Sequence, residues 1–212
     1  YIKTNNTTNT LINRIYMTIL LASGSKTRAN ILKNAKISFQ VVEHGVDEEE
    51  AKISYSNLSP QDMAIKLSEI KAIKPSLKFT DSFVIGGDQV LELNSVLMNK
   101  ATDMHEAKNQ LLELQGKNHK LITSIAVAKN GAIVWKHSDI ANITMRNLNE
   151  KQIDEYLNSI DKSILGCVGV YAIEQEGIKL LNKIEGDYFS ILGLPLLPLT
   201  QFLWQNNILF YE

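Results

Sequence analysis

Asn130-Gly131 stands between two long stretches of strand-forming residues, Leu121 to Ala128 and Ala132 to Met145, and is the strongest hairpin signal in the chain. A two-residue turn joins antiparallel neighbours, so this part of the sheet folds back on itself. Upstream the pattern differs. Ile19 to Ala22 reads as a short apolar strand, Ser23-Gly24-Ser25 as a turn, and Thr27 to Asn34 as a helical segment carrying Ile31 and Leu32. Ser38 to Glu43 alternates as a second strand, and His44 to Lys52 reads as an acidic loop containing Asp47, Glu48, Glu49 and Glu50. Ser59-Pro60 opens a helix with Met63, Leu67 and Ile70 as its buried stripe. Asn94-Ser95 suits a second hairpin, and Asp103 caps a helix that runs to Gln115, where Gly116 stops it. A helix over Glu150 to Ser159 follows, then strands near Val168 to Ile173 and Lys179 to Ile184, then a helix over Leu196 to Gln205. Helices interleaved with strands and hairpins give a mixed α/β class, with a curved sheet flanked by helices.

The 212 residues suit one domain with a sizeable core. The first sixteen, rich in Thr and Asn, read as a flexible tail ahead of a single domain over 17–212, without the pattern of a secretory signal. Lys and Arg total 22 against 23 Asp and Glu. No global field then favours nucleic acid or an anionic membrane, so any anion is held locally. Cys167 is the one cysteine and reads as a small core hydrophobe, which fits a reducing compartment. No apolar run reaches the ~18 residues of a membrane span. The expectation is a soluble, cytoplasmic protein.

Chemistry concentrates in Val84-Ile85-Gly86-Gly87-Asp88-Gln89, where an apolar strand is expected to stop at an acidic residue. Two glycines remove bulk beside the carboxylate, so a ligand can approach the backbone. Asp88 there suits a metal ligand or a general base, and equally a strand-end residue accepting turn hydrogen bonds. Ser23, Ser25 and Arg28 surround a strand-to-helix turn whose N–H groups and dipole attract an anion, although Ser before a helix is commonly only a cap. The glycine spacing of a Walker loop is absent, as is a Gly-x-Ser-x-Gly elbow. Glu48 is either part of a solvated acidic surface or, if brought opposite Asp88, half of a carboxylate pair for Mg²⁺ or Mn²⁺. Lys71 and Lys100 are surface lysines unless they converge with Arg28 on one cleft and offset a triphosphate. His44, His105, His119 and His137 lack metal-ligand spacing, and His119 reads as a structural hydrogen-bonding residue.

An ordered series of motifs then resembles the Maf family of nucleoside triphosphate pyrophosphatases over Thr18 to Trp204. Its pieces are Leu21-Ala22-Ser23-Gly24-Ser25-Lys26-Thr27-Arg28, Val46-Asp47-Glu48, Lys71-Ala72, Gly87-Asp88-Gln89-Val90, Lys100, Leu114-Gln115-Gly116-Lys117-Asn118-His119, Gly169-Val170-Tyr171-Ala172-Ile173, Glu185-Gly186-Asp187-Tyr188 and Leu192-Gly193-Leu194-Pro195-Leu196. The resemblance implies a Maf/ITPase-like α/β fold with two lobes around a central cleft, commonly dimeric. It also implies cleavage of a nucleoside triphosphate to monophosphate and pyrophosphate with a divalent metal (Mg, Mn or Co). By position, Asp88 and Glu48 take the catalytic and metal-binding places, and Ser23, Ser25, Arg28, Lys71 and Lys100 the substrate-binding ones.

Thr27, Gln89 and Glu174 occupy the positions implied to set specificity. The pyrimidine-nucleotide branch tends to carry Arg, Thr and Gln there, so this chain looks closer to the 7-methyl-GTP branch. A carboxylate at Glu174 can accept from N1–H and the amino group of guanine as a pair, which uracil and thymine cannot offer. Glu174-Gln175-Glu176-Gly177 is otherwise an ordinary solvated turn. A dTTP or UTP pyrophosphatase, and a nucleotide-binding regulator of septum formation, are the alternatives. The carboxylates beside a phosphate cradle favour an enzyme over a pure binding protein.

Overall fold

The computed structural model describes residues 18–209, so the expected tail over residues 1–16 lies outside the described residues. β1 (Ile19–Ala22) leads into α1 (Lys26–Asn34), and β2 (Gln40–Val41) into α2 (Glu48–Ser54) and α3 (Pro60–Ser76). β3 (Phe83–Leu93) and β4 (Val96–Met98) form a hairpin, followed by α4 (Met104–Leu114), β5 (Asn118–Lys129) and β6 (Ala132–Met145). α5 (Glu150–Ser159), three short 3₁₀ turns, β7 (Leu181–Glu185), α6 (Tyr188–Ile191) and α7 (Leu196–Gln205) complete the described chain. The strands form one seven-stranded sheet in the order β2-β1-β3-β5-β6-β7, with β4 on β3. β1 pairs in parallel with β2 and β3, and every other pairing is antiparallel. The Asn130-Gly131 turn accounts for this mixture: both residues have positive φ, 48° and 77°, as a tight primed turn requires.

Alternation along β3 positions the site. The odd-numbered residues Phe83 and Ile85 join one apolar cluster with Leu32 of α1 and Phe202 of α7. Leu91 and Leu93 join a second, with Leu111 of α4 and Ile153 of α5. Gly87 and Gln89 lie between the clusters, so β3 passes from one lobe into the other at its midpoint. The even-numbered residues face α3, where Val90 packs on Ala64.

Five expectations are corrected. The strand does not stop at Asp88; it runs five residues further, to Leu93. Gly86 is required because a Cβ there would lie 2.4 Å from the Ser68 carbonyl oxygen and 2.5 Å from the Ala72 nitrogen, both backbone atoms of α3. Gly87 makes room for Arg28, whose Nε would be 3.1 Å from such a Cβ. The glycines thus admit a helix and a guanidinium where a ligand was expected. The acidic segment is the start of α2, because Asp47 caps it by accepting from the N–H groups of Glu49 and Glu50. Val168 to Ile173 is not a strand: Gly169 and Val170 both have positive φ, 77° and 61°, which breaks the extended backbone. The strand expected over Ser38 to Glu43 is reduced to Gln40–Val41 at the sheet edge. No helix of the described residues is long and apolar enough to cross a membrane.

Candidate active site

Lys71 lies inside the sheet-facing side of α3 and is only 4% exposed. Its Nζ donates to Asp88 Oδ1 at 2.7 Å and to Glu48 Oε1 at 2.8 Å. Both carboxylates therefore converge on one ammonium, from the middle of β3 and from the first residue of α2. A buried ammonium is costly unless paired, and the two carboxylates supply that pairing. Burial alone would raise the Glu48 pKa. The Lys71 charge and hydrogen bond, with Lys100 and His44, outweigh it and hold the carboxyl below its usual range.

His44, which the sequence reading discarded for lack of metal spacing, adjoins this pair. Its Nδ1 accepts from the Val46 N–H at 3.0 Å, which leaves Nε2 facing Glu48 Oε1 at 3.7 Å. Burial and the Lys71 charge lower the His44 pKa, with Glu48 and Asp88 pulling the other way. No sequence signal marked this contact, since the loop that turns His44 back over α2 has no repeat or motif.

Ser23, at the end of β1, is buried; its Oγ accepts from the Ser25 N–H at 3.2 Å and from Arg28 Nη1 at 3.1 Å. Ser25 caps α1 by accepting from the Arg28 N–H at 3.3 Å. Arg28 Nε also donates to the Gly193 carbonyl at 2.6 Å, so the guanidinium is fixed at two points between α1 and the loop after α6. Burial lowers its pKa, and the charges of Asp88 and Glu48 oppose that. Arg28 therefore sits within electrostatic reach of both carboxylates.

A pocket beside the pair is lined by Glu48, Asp88, Gln89, Leu97, Lys100 and Val168, among others. The structure thus gathers Glu48, Asp88, Lys71, Arg28 and Lys100, with Ser23 and Ser25 behind Arg28. Thr27 lies on α1, half-buried. Glu174 is exposed in the turn before β7; its charge and that of Lys100 both act on Cys167, the first raising and the second lowering a thiol pKa that burial already lifts. Gln89 points to the opposite face of the sheet from Asp88. Its Nε2 donates to Thr123 Oγ1 at 2.7 Å, to the Ile191 carbonyl at 2.9 Å and to the Ser190 carbonyl at 3.2 Å.

Among the described residues, no group of three or more His, Cys, Asp or Glu side chains converges as a metal cluster. Two hard oxygen donors fit a Mg²⁺-like cation that keeps several waters and takes others from a substrate, and do not fit a closed all-protein cage. His119, buried at the start of β5, bonds Tyr171 Oη through Nε2 at 2.7 Å, which is the structural bond expected of it.

The chain resembles known proteins along nearly all of this framework. A nucleoside triphosphate pyrophosphatase of Caulobacter vibrioides is 43% identical over 187 residues, covering 87% of this chain and 94% of the relative. A 7-methyl-GTP pyrophosphatase of Rhizobium meliloti is 41% identical over 183 residues, covering 85% and 92%. One from Brucella suis biovar 1 is 43% identical over 183 residues with the same coverage. The Maf-like protein model matches residues 18–206, from the first described residue to the end of the last helix, and this chain belongs to the Maf-like protein family.

Proposed function

We propose that the protein hydrolyses a nucleoside triphosphate between its α and β phosphates, releasing nucleoside monophosphate and pyrophosphate, and that 7-methyl-GTP is its preferred substrate. The observation that carries the reading is the convergence of Glu48, Lys71 and Asp88, flanked by Arg28 and Lys100. Two acids among three cations suit a polyanion whose phosphorus is attacked by water. The relatives' names give the substrate class.

Glu48 and Asp88 would hold a divalent cation, Mg²⁺, Mn²⁺ or Co²⁺, which when bound neutralises charge on the polyphosphate. Asp88 takes the proton of the attacking water as a new bond forms at the α-phosphorus and the bridging bond to the β-phosphate breaks. Arg28, Lys71 and Lys100 donate to the phosphate oxygens as charge moves onto the leaving pyrophosphate. The α1 turn, with Ser23 and Ser25 securing Arg28, places that guanidinium before substrate arrives. Glu174 is the group that reads guanine, by accepting from its N1–H and amino edge, and a methylated, cationic guanine gains a further attraction. Thr27 leaves room where a longer side chain would reach the substrate. A homodimer belongs to this reading on the family resemblance alone.

The test is pyrophosphate release from 7-methyl-GTP, GTP, UTP and dTTP with each metal, for the wild type and Asp88→Asn. We expect 7-methyl-GTP to be cleaved fastest, and the variant to lose about 10²- to 10⁴-fold in turnover. Asparagine keeps the shape of Asp88, so circular dichroism of the variant should match the wild type. Preference for UTP or dTTP would overturn the guanine reading, and full activity of the variant would overturn the role of Asp88. No release from any nucleotide would leave a nucleotide-binding regulator.

A further inference from the structure

Lys52 is the charged side chain lining this pocket to which nothing above gives a role. It lies four residues after Glu48 on α2, so the two side chains rise from the same helix face, one turn apart. Its side chain is only 19% exposed, and it lines the pocket together with Glu48, Asp88 and Lys100. Two contacts hold the ammonium, both long: Glu49 Oε1 at 3.3 Å and Asn99 Oδ1 at 3.4 Å. Glu49 is itself 79% exposed, so that pair is weakly held and screened by solvent. An ammonium carries three donors, and a good charge-assisted bond is nearer 2.8 Å. Lys52 is therefore positioned but poorly satisfied.

Asn99, which tethers it, precedes Lys100, and the Asn99 backbone is itself fixed by a bond from Gln110 Nε2 to its carbonyl at 3.0 Å. Lys52 from α2 and Lys100 from the segment after β4 thus line the same small pocket from two elements. Two like charges lining one pocket repel, and an anion between them converts the repulsion into attraction. Glu48 and Asp88 offset part of this charge, Glu48 being within electrostatic reach of Lys100, but both carboxylates also bond Lys71.

We propose that Lys52 is a substrate-contact residue, donating with Lys100 to the non-bridging oxygens of the polyphosphate. The proposal deepens the hydrolase reading and rests on it for the identity of the anion. It explains why α2 begins with a carboxylate and presents a cation one turn later: the helix delivers a metal ligand and a phosphate donor as one rigid unit.

The test is calorimetric binding of pyrophosphate, in the presence of Mg²⁺, to the wild type, Lys52→Gln and Lys52→Arg. Gln has nearly the helix propensity of Lys, so α2 should persist, and circular dichroism checks that it does. We expect Lys52→Gln to weaken pyrophosphate about tenfold, the loss of one charge-assisted hydrogen bond, and Lys52→Arg to recover most of it. In turnover, KM for the triphosphate should rise in Lys52→Gln by a similar factor, with recovery in Lys52→Arg. Unchanged pyrophosphate affinity in Lys52→Gln would overturn the proposal, as would equal loss in Lys52→Arg or no pyrophosphate binding by the wild type. If the wild type binds pyrophosphate but cleaves no nucleotide, the hydrolase reading fails and the calorimetry still decides the role of Lys52.

Discussion

Neighbouring residues on one strand divide the labour of this site. Asp88 turns toward α3 and meets Lys71, whereas Gln89 turns to the other face and holds the α6 turn through Thr123, Ser190 and Ile191. The sequence reading assigned Gln89 to base specificity. Its amide nitrogen is held by Thr123 and by the carbonyls of Ser190 and Ile191 beside the pocket it lines, and Ser190 is tied from the far side by its own bond to Asp139 Oδ2 at 2.6 Å. Gln89→Leu should strand polar groups that now have a partner, at about 1–3 kcal/mol. For a chain of this size, that lowers Tm by roughly 2–12 °C. We expect the ranking of 7-methyl-GTP over GTP to survive in Gln89→Leu, measured by pyrophosphate release. An unchanged Tm with a reversed ranking would return Gln89 to base reading.

Between α3 and β3, one contact decides whether the carboxylates meet their lysine. Gly86 sits against the backbone of Ser68 and Ala72, one turn and one residue away from Lys71. The close approach lets Nζ reach Asp88 at 2.7 Å. Gly86→Ala must push α3 outward, since backbone atoms cannot rotate aside as a side chain does. We expect a destabilisation of about 1–3 kcal/mol by urea unfolding, together with a fall in turnover larger than the stability loss explains. Normal activity in a destabilised Gly86→Ala protein would show that the α3–β3 spacing does not set the site. At this scale much was legible beforehand: helices close to α1, α3, α4, α5 and α7 were expected, with Ser59 and Asp103 marking the starts of α3 and α4. α2 was not, because three consecutive glutamates look like a solvated loop until Asp47 is recognised as their cap.

Across the whole molecule, pH couples to stability through His119. Burial pushes its pKa from the ordinary 6.5 down to about 4, and its Nδ1 has no partner in the interior. The folded protein therefore binds fewer protons than the unfolded chain between those values, so stability is present above pH 6.5 and is lost as pH falls toward 4. A displacement of that size is worth on the order of 3 kcal/mol. Glu48, held below its usual range, adds a loss of the same sign at lower pH. Denaturant titrations at pH 7 and pH 4.5 should show the drop in the wild type and a smaller one in His119→Gln. Equal drops in both would remove His119 as the cause.

Local chemistry is what the sequence settled unaided. The Ser59 and Asp103 caps, the Asn130-Gly131 turn and the ordered motifs act through neighbours a few residues away, so most of the helices, the long hairpin and the family could be read without coordinates. Tertiary structure decided the rest. It carried β3 past Asp88, spent Gly86 and Gly87 on a helix backbone and an arginine, and turned Gln89 away from the carboxylates. It also drew Glu48, Lys71 and Asp88 onto one nitrogen from three separate elements. Those outcomes depend on which atoms occupy the space beside a residue, and that space is filled by segments far along the chain, whose approach no local pattern records.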